Sequence, residues 1–321
     1  MAEANMAMTV TGEVPVAELG VTLPHEHLIH RISIHSDKPD NTCIDTNLVA
    51  EELSYFRSAG GSTACDVTPI GVGRDPEALR ELSRLSGVNI ISALGLYQLD
   101  IWPTELASMS ETALTDFLVR EAFGESTGIA AGLLGEIACH NEDHADWRKY
   151  ELLDKEKMVF RAVAGAQRRT GLTISTHASF GRAGVAQIEV LLAANADPGR
   201  IVIGHCGAQS HEDIAIDLEY YDTLLSEGVS LEFDLFGWQG MPPDNERCQR
   251  IAALVTEGFA DRILLSTDTC RLSQLHRFGG RGFDYLFASV LPGLRDLGVG
   301  DEDIHHMTVT NPARIFTRLP Y

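Results

Sequence analysis

The sequence predicts an α/β protein folded as a (β/α)8 TIM barrel with a short N-terminal hairpin, and three observations predict it. Eight apolar, β-branched runs recur along the 321 residues, a strand signature. Segments of helical spacing separate them. Imidazoles and carboxylates sit where those runs give way to polar sequence, as on the C-terminal rim of a barrel.

In chain order, "MTVTGEVPVAEL" reads as the hairpin, packed against one end of the barrel. The strand runs lie near Leu19–Leu23, Ser62–Ile70, Asn89–Leu96, Ala130–Ala138, Leu172–Ser179, Arg200–Cys206, Val229–Phe236 and Arg262–Thr267. Between them stand "TNLVAEELSYFRSAG", "PEALRELSRLSG", "ALTDFLVREAF", "EKMVFRAVAGAQRRTG", "AQIEVLLAANA", "AIDLEYYDTLLSEG" and "ERCQRIAALVTEGF". Several close on Gly or carry Lys or Arg in the last turn, as helix C-termini do. Strands alternating with helices of this length build βαβ units and a parallel sheet. Without a composition break, eight such units favour a closed barrel in one domain, residues 1–321, over an open sheet. "PIGVGRDP" has the wrong glycine spacing for a phosphate loop, which sets a nucleotide fold aside.

Composition narrows the function classes. Hydrophobic residues make up 44% and charged residues 22% of the chain, with a net charge of −21. Such acidity argues against nucleic acid or an anionic membrane as a partner. The N-terminal stretch has neither the basic nor the apolar region of a secretory signal, and no apolar stretch reaches the roughly 18 residues of a membrane span. The six cysteines are far apart with no CxxC pair, the pattern of reduced thiols in a cytoplasmic protein. Cys206 follows His205 directly and turns to the opposite face of its strand.

The chemistry-bearing residues are spread over almost the whole chain. His25 and His27 are two apart, so on a strand both point one way and Glu26, read as structural, points the other. Glu136 is a lone acid in an apolar run, where burial is costly unless a cation or metal pairs with it. His177 and His205 close the fifth and sixth runs, and Asp268 closes the eighth, where "STDT" also suits helix capping. N and O donors gathered from separate strands suit divalent first-row metals. Candidate substrate contacts on the rim are Tyr97, Arg182, Trp238, Arg271 and Arg281, with Phe236, His276 and Arg277 beside them. "TCRLSQLHRFGGRGF" holds three arginines and no acid in a strongly acidic protein.

With "PHEHL" on the first strand, "GEI" on the fourth, "THAS" on the fifth, "IGHCG" on the sixth and "STD" on the eighth, the chain resembles the phosphotriesterase family of the amidohydrolase superfamily. "FGGRGFDYLFASVLPGLRDLGV" and "NPARIF" resemble that family's closing segments. The resemblance implies a (β/α)8 hydrolase with two divalent metal ions, zinc first and manganese or cobalt as alternatives. It implies that His25, His27 and Asp268 hold one metal and His177 and His205 the other. A carboxylate and a hydroxide bridge them. The best-known members carry a carbamylated lysine as bridge; Glu136 stands there in this chain, as in a subset of the family. That departure turns the expectation from phosphotriesters toward a small-molecule lactone, ester or amide, whose carbonyl the hydroxide attacks while Asp268 takes the proton. A phosphoester hydrolase and a metal-containing barrel without catalysis are the alternatives. The family's habit implies a homodimer.

Overall fold

The computed structural model describes residues 5–32, 38–140, 146–178 and 182–318. Eight strands form the barrel wall: β1 Val21–Glu26, β2 Gly61–Asp66, β3 Asn89–Ser92, β4 Leu134–Ala138, β5 Ile174–His177, β6 Ile201–Ile203, β7 Ser230–Phe233 and β8 Ile263–Leu265. Parallel ladders join β1 to β3 and β4 to β8 in sequence order. Sparser contacts close the ring. Ala93 bridges Leu133 and Leu96 bridges Ile137 between β3 and β4. Between β8 and β1, Asp268 N–H donates to the His25 carbonyl and His27 N–H to the Thr269 carbonyl, both at 3.2 Å.

A helix follows each strand: α1 Thr46–Ser58, α2 Pro76–Ser86, α3 Glu111–Ala122, α4 Asp154–Thr170, α5 Gly184–Ala193, α6 Ile214–Ser226, α7 Asp244–Thr256 and α8 Leu291–Asp296. Local chemistry sets their ends. The Asp45 carboxylate accepts from the N–H groups of Asn47 and Leu48 at the start of α1, satisfying donors that have no partner inside the helix. α2 and α4 stop at Gly87 and Gly171, both at φ 67°, a left-handed conformation that glycine adopts without a Cβ clash. No helix among the described residues is long and apolar enough to cross a membrane.

Strand alternation divides the core into two layers. On β6, Ile201 and Ile203 pack among the helices while Val202 faces the barrel interior; on β8, Ile263 and Leu265 face out and Leu264 faces in. The interior cluster is closed at the N-terminal end of the strands by Ala7 of the hairpin Met6–Thr9/Gly12–Pro15 and by Ile315 and Phe316. Burying each large aliphatic side chain in these layers contributes about 1.5–3 kcal/mol. The same alternation on β7 puts Leu231 and Phe233 outward, so Glu232 and Asp234 must face inward.

Strand bounds differ from the sequence reading chiefly at the rim. The first strand starts at Val21, not Leu19, because Gly20 turns the chain at φ 57° while the Leu19 carbonyl accepts from Thr63 Oγ1 at 2.6 Å. It then runs on to Glu26, so His25 lies in the strand and His27 just beyond it. The second strand ends at Asp66, short of Ile70, because the Asp66 carboxylate takes the N–H groups of Leu28, Ile29 and Thr68. The fourth begins at Leu134, four residues after the expected start at Ala130. The fifth ends at His177; its expected end, Ser179, lies outside the described residues.

Candidate metal centre

The rim ends of β1, β4, β5, β6 and β8 deliver His25, Glu136, His177, His205 and Asp268 into one space, with His27 from the residue after β1. Each imidazole is aimed by a partner on its far side. His25 Nδ1 meets Glu232 Oε2 at 2.8 Å, His205 Nδ1 meets Asp234 Oδ1 at 2.9 Å, and His27 Nδ1 meets Thr68 Oγ1 at 3.0 Å. Their Nε2 atoms therefore point toward Glu136. Its Oε1 lies 3.7 Å from His27 Nε2, and its Oε2 lies 3.7 Å from both His25 Nε2 and His205 Nε2. His177 presents Nδ1 instead, 2.8 Å from Glu136 Oε2 and 2.8 Å from His205 Nε2. Asp268 Oδ1 is 3.4 Å from His27 Nε2 and 3.8 Å from His25 Nε2.

The cluster is buried, and its polar atoms are not all satisfied by one another. His25 is fully buried, yet its Nε2 has no hydrogen-bond partner; an orphaned polar atom of this kind is costly. Two sets of donors, His25–His27–Glu136 and Glu136–His177–His205, each lie within 4.8 Å of one another and share Glu136. Imidazole nitrogens with carboxylate oxygens are the donor set of first-row divalent cations, and carboxylates behind ligating imidazoles are the usual outer support. The residues fit a two-cation site.

The same partners set the electrostatics of the cluster. Burial works against a charge on His25, but Asp234 and Glu232 outweigh it and raise its pKa to about 10. The acid pair thus draws positive charge to this end of the site. Burial lowers His27 to about 3, leaving a neutral imidazole. Burial opposes charge on Glu136 too, but His177, His205 and His25 hold it well below the ordinary carboxylate range. Burial pushes the Asp268 carboxyl up to about 8, against the pull of His25 and His205. His205 and Asp268 also occupy left-handed backbone conformations, φ 57° and 46°. Such conformations are strained for non-glycine residues and persist where the surrounding structure over-determines them.

A cavity of about 450 Å³ opens onto this cluster. Tyr97, Trp238 and Arg271 line it, together with an apolar wall that includes Val72, Leu235 and Met241. Two predicted rim contacts are not in it. Arg281 is turned inward, donating to Thr267 O at 2.6 Å and Thr269 Oγ1 at 3.1 Å, so it braces the end of β8. Arg182 donates to His211 Nε2 at 2.7 Å beside a separate void of about 20 Å³. Phe236 is core, His276 pairs with Asp284, and Arg277 is exposed outside the cavity. Sequence reasoning missed Glu232 and Asp234, although their two-residue spacing in an apolar run is the same signal that singled out His25 and His27. Lys38 and Asp40, also on the cavity wall, carried no such signal.

Residues 5–316 match the sequence profile of the phosphotriesterase family. The chain belongs to the phosphotriesterase family. It is 33% identical over 288 residues to N-acetyltaurine hydrolase of Dictyostelium discoideum, covering 85% of this chain and 74% of that one. It superposes on the crystal structure of the Escherichia coli phosphotriesterase homology protein, complexed with phosphate in its active site, with a TM-score of 0.86 at 29% identity, over 93% of this chain and 99% of that one. A mutant of a PTE-like lactonase from Deinococcus radiodurans gives a TM-score of 0.81 at 33% identity, over 97% and 99% of the two chains. This phosphotriesterase-family chain is accordingly a hydrolase, and enzymes of the family use a binuclear metal centre.

Proposed function

We propose that this hydrolase holds two divalent cations, zinc in the first instance, and cleaves the carbonyl–heteroatom bond of a small lactone, ester or amide. His25, His27 and Asp268 would hold one cation, His177 and His205 the other, with Glu136 shared. The observation that carries the reading is Glu136, whose one oxygen faces His27 while the other faces His25, His177 and His205. Bound divalent cations supply Lewis acidity toward a carbonyl and make water acidic enough to ionise near neutral pH.

The chain's own residues do the rest. Asp268, which lines the cavity with Oδ1 3.4 Å from His27 Nε2, accepts the proton of the attacking water and returns it to the leaving group. Tyr97, edge-on to His177 with ring centroids 5.0 Å apart, narrows the space above the cluster, and the apolar wall keeps bulk water from it. The relatives support carbonyl chemistry, since N-acetyltaurine is an amide and a lactone is a cyclic ester.

Elemental analysis of fully loaded protein, with turnover of a panel of lactones, esters, amides and phosphoesters, tests the proposal. Two metals per chain and the highest kcat/KM on a carbonyl substrate are expected. Glu136→Gln should lose metal and activity together, because a neutral amide is a poor shared ligand. A single metal in saturated protein, or phosphotriesters preferred over every carbonyl compound, would overturn it.

A further inference from the structure

Arg271 is a placed cation. Its guanidinium lies 4.8 Å over the Trp238 ring, and that ring is itself pinned, Nε1 donating to the carbonyls of Thr267 and Asp268, both at 3.1 Å. The backbone of Arg271 is held as well: Gln274 Oε1 accepts from the N–H groups of Cys270 and Arg271, each at 2.9 Å. One turn on, the Asp40 carboxylate takes Ser273 N–H at 2.7 Å and Ser273 Oγ at 2.9 Å. This clasp ties the loop after β8 to the loop after β1, which carries Lys38. Asp40 also borders the cavity, but both its oxygens are engaged by Ser273. Arg271 and Lys38 both line the cavity, and neither has an acidic partner among the described residues. Stacking on an indole occupies the face of a guanidinium and leaves its N–H edge free for a planar or trigonal oxyanion.

We infer that Arg271, laid on Trp238 and seconded by Lys38, is an anion subsite beside the hydrolytic centre, and that the substrate is a carbonyl compound bearing a carboxylate or sulfonate away from the scissile bond. The inference rests on the proposed carbonyl hydrolysis for its substrate and deepens it. The anion binds at the arginine edge while the apolar wall of Val72, Leu235 and Met241 receives the chain between the anion and the carbonyl.

Matched substrates with the same scissile amide or ester, one with a carboxylate or sulfonate tail and one with a neutral isostere, test it. The anionic member should be preferred. In Arg271→Ala the ratio of kcat/KM, anionic over neutral, should fall roughly ten- to hundredfold through KM, the scale of one charge-assisted contact. Arg271→Lys should recover part of it, and Arg277→Ala, which removes a cation of the same loop outside the cavity, should leave the ratio where it was. Calorimetric titration with ethanesulfonate gives a second readout that needs no turnover. Binding to the unmutated protein, weakened at least tenfold in Arg271→Ala and by added salt, is expected. If no carbonyl substrate is turned over, the proposed function fails and the titration alone still decides the subsite. Equal preference for neutral and anionic substrates, or ethanesulfonate affinity absent or unaltered by Arg271→Ala, overturns the inference.

Discussion

Replacing Glu26 by Gln should unsettle the rim around Asp268 without touching a candidate ligand. Glu26 is fully buried, and four donors converge on it. Oε1 accepts from Ser266 Oγ at 2.8 Å, Thr267 N–H at 2.8 Å and Thr267 Oγ1 at 2.7 Å, while Oε2 accepts from Thr269 N–H at 2.7 Å. The two backbone donors flank Asp268 and hold it in its left-handed conformation. In either orientation the Gln amide turns its NH2 toward one of those backbone N–H groups, leaving a buried donor without an acceptor at a loss of about 1–3 kcal/mol. The remaining bonds weaken from charged to neutral acceptor, partly offset because an amide is easier to bury than a carboxylate. The net expectation is about 2–4 kcal/mol of lost stability, read from urea denaturation of metal-loaded protein with the slope unchanged. kcat should drop about tenfold as Asp268 loses its exact placement. Stability within about 0.5 kcal/mol of the unmutated protein, together with unaltered kcat, would refute the claim that this carboxylate holds the rim.

Other substitutions separate the roles further. Asp268→Asn should keep the fold by circular dichroism and cut kcat by roughly 10²–10⁴-fold; near-normal turnover in metal-loaded protein would remove it as proton carrier. Glu232→Gln, which replaces the carboxyl behind His25, should weaken metal retention roughly 10–100-fold in chelator competition, and unchanged retention would make Glu232 a mere core acid. Arg281→Ala should lower stability by about 2–4 kcal/mol through lost bonds to the β8 end and act on kcat more than on KM. A raised KM for anionic substrates with stability intact would return Arg281 to the substrate.

The barrel was legible because its signals are local. An apolar run of period two, a helical stretch and a glycine stop each declare themselves within a dozen residues. The ligand-type residues were legible for a related reason: a histidine or acid at the end of an apolar run is anomalous in burial terms, and Glu136 was the plainest case. Arg281 shows where such reading stops. Its charge stood out in an acidic chain, but its destination is set by the carbonyl of Thr267 and the hydroxyl of Thr269 that only the closed barrel brings to it. Lys38 and Asp40 are the converse, ordinary surface residues in sequence that a side-chain clasp to Ser273 carries to the cavity.

The sealing of the barrel's far end by the N-terminal hairpin also bears on how the chain folds. Ala7 bridges Thr317, and the Arg318 N–H donates to the Met6 carbonyl at 2.8 Å, so these two segments meet on the face opposite the candidate metal centre. Meanwhile the seam that completes the ring is among the most distant in sequence: His25 N–H bonds Ser266 Oγ across 241 positions. Long closures of this kind slow folding, because loop entropy is lost before contacts are gained. Joining Met6 to Arg318 through a short peptide and reopening the chain at the exposed Gly258 turn would shorten that seam to less than half its sequence span. The rim, which lies at the other end of every strand, would keep its geometry. In such a permuted chain the β8–β1 seam becomes nearer in sequence, and the longest closure passes to the β7–β8 ladder, where Leu231 pairs with Ile263.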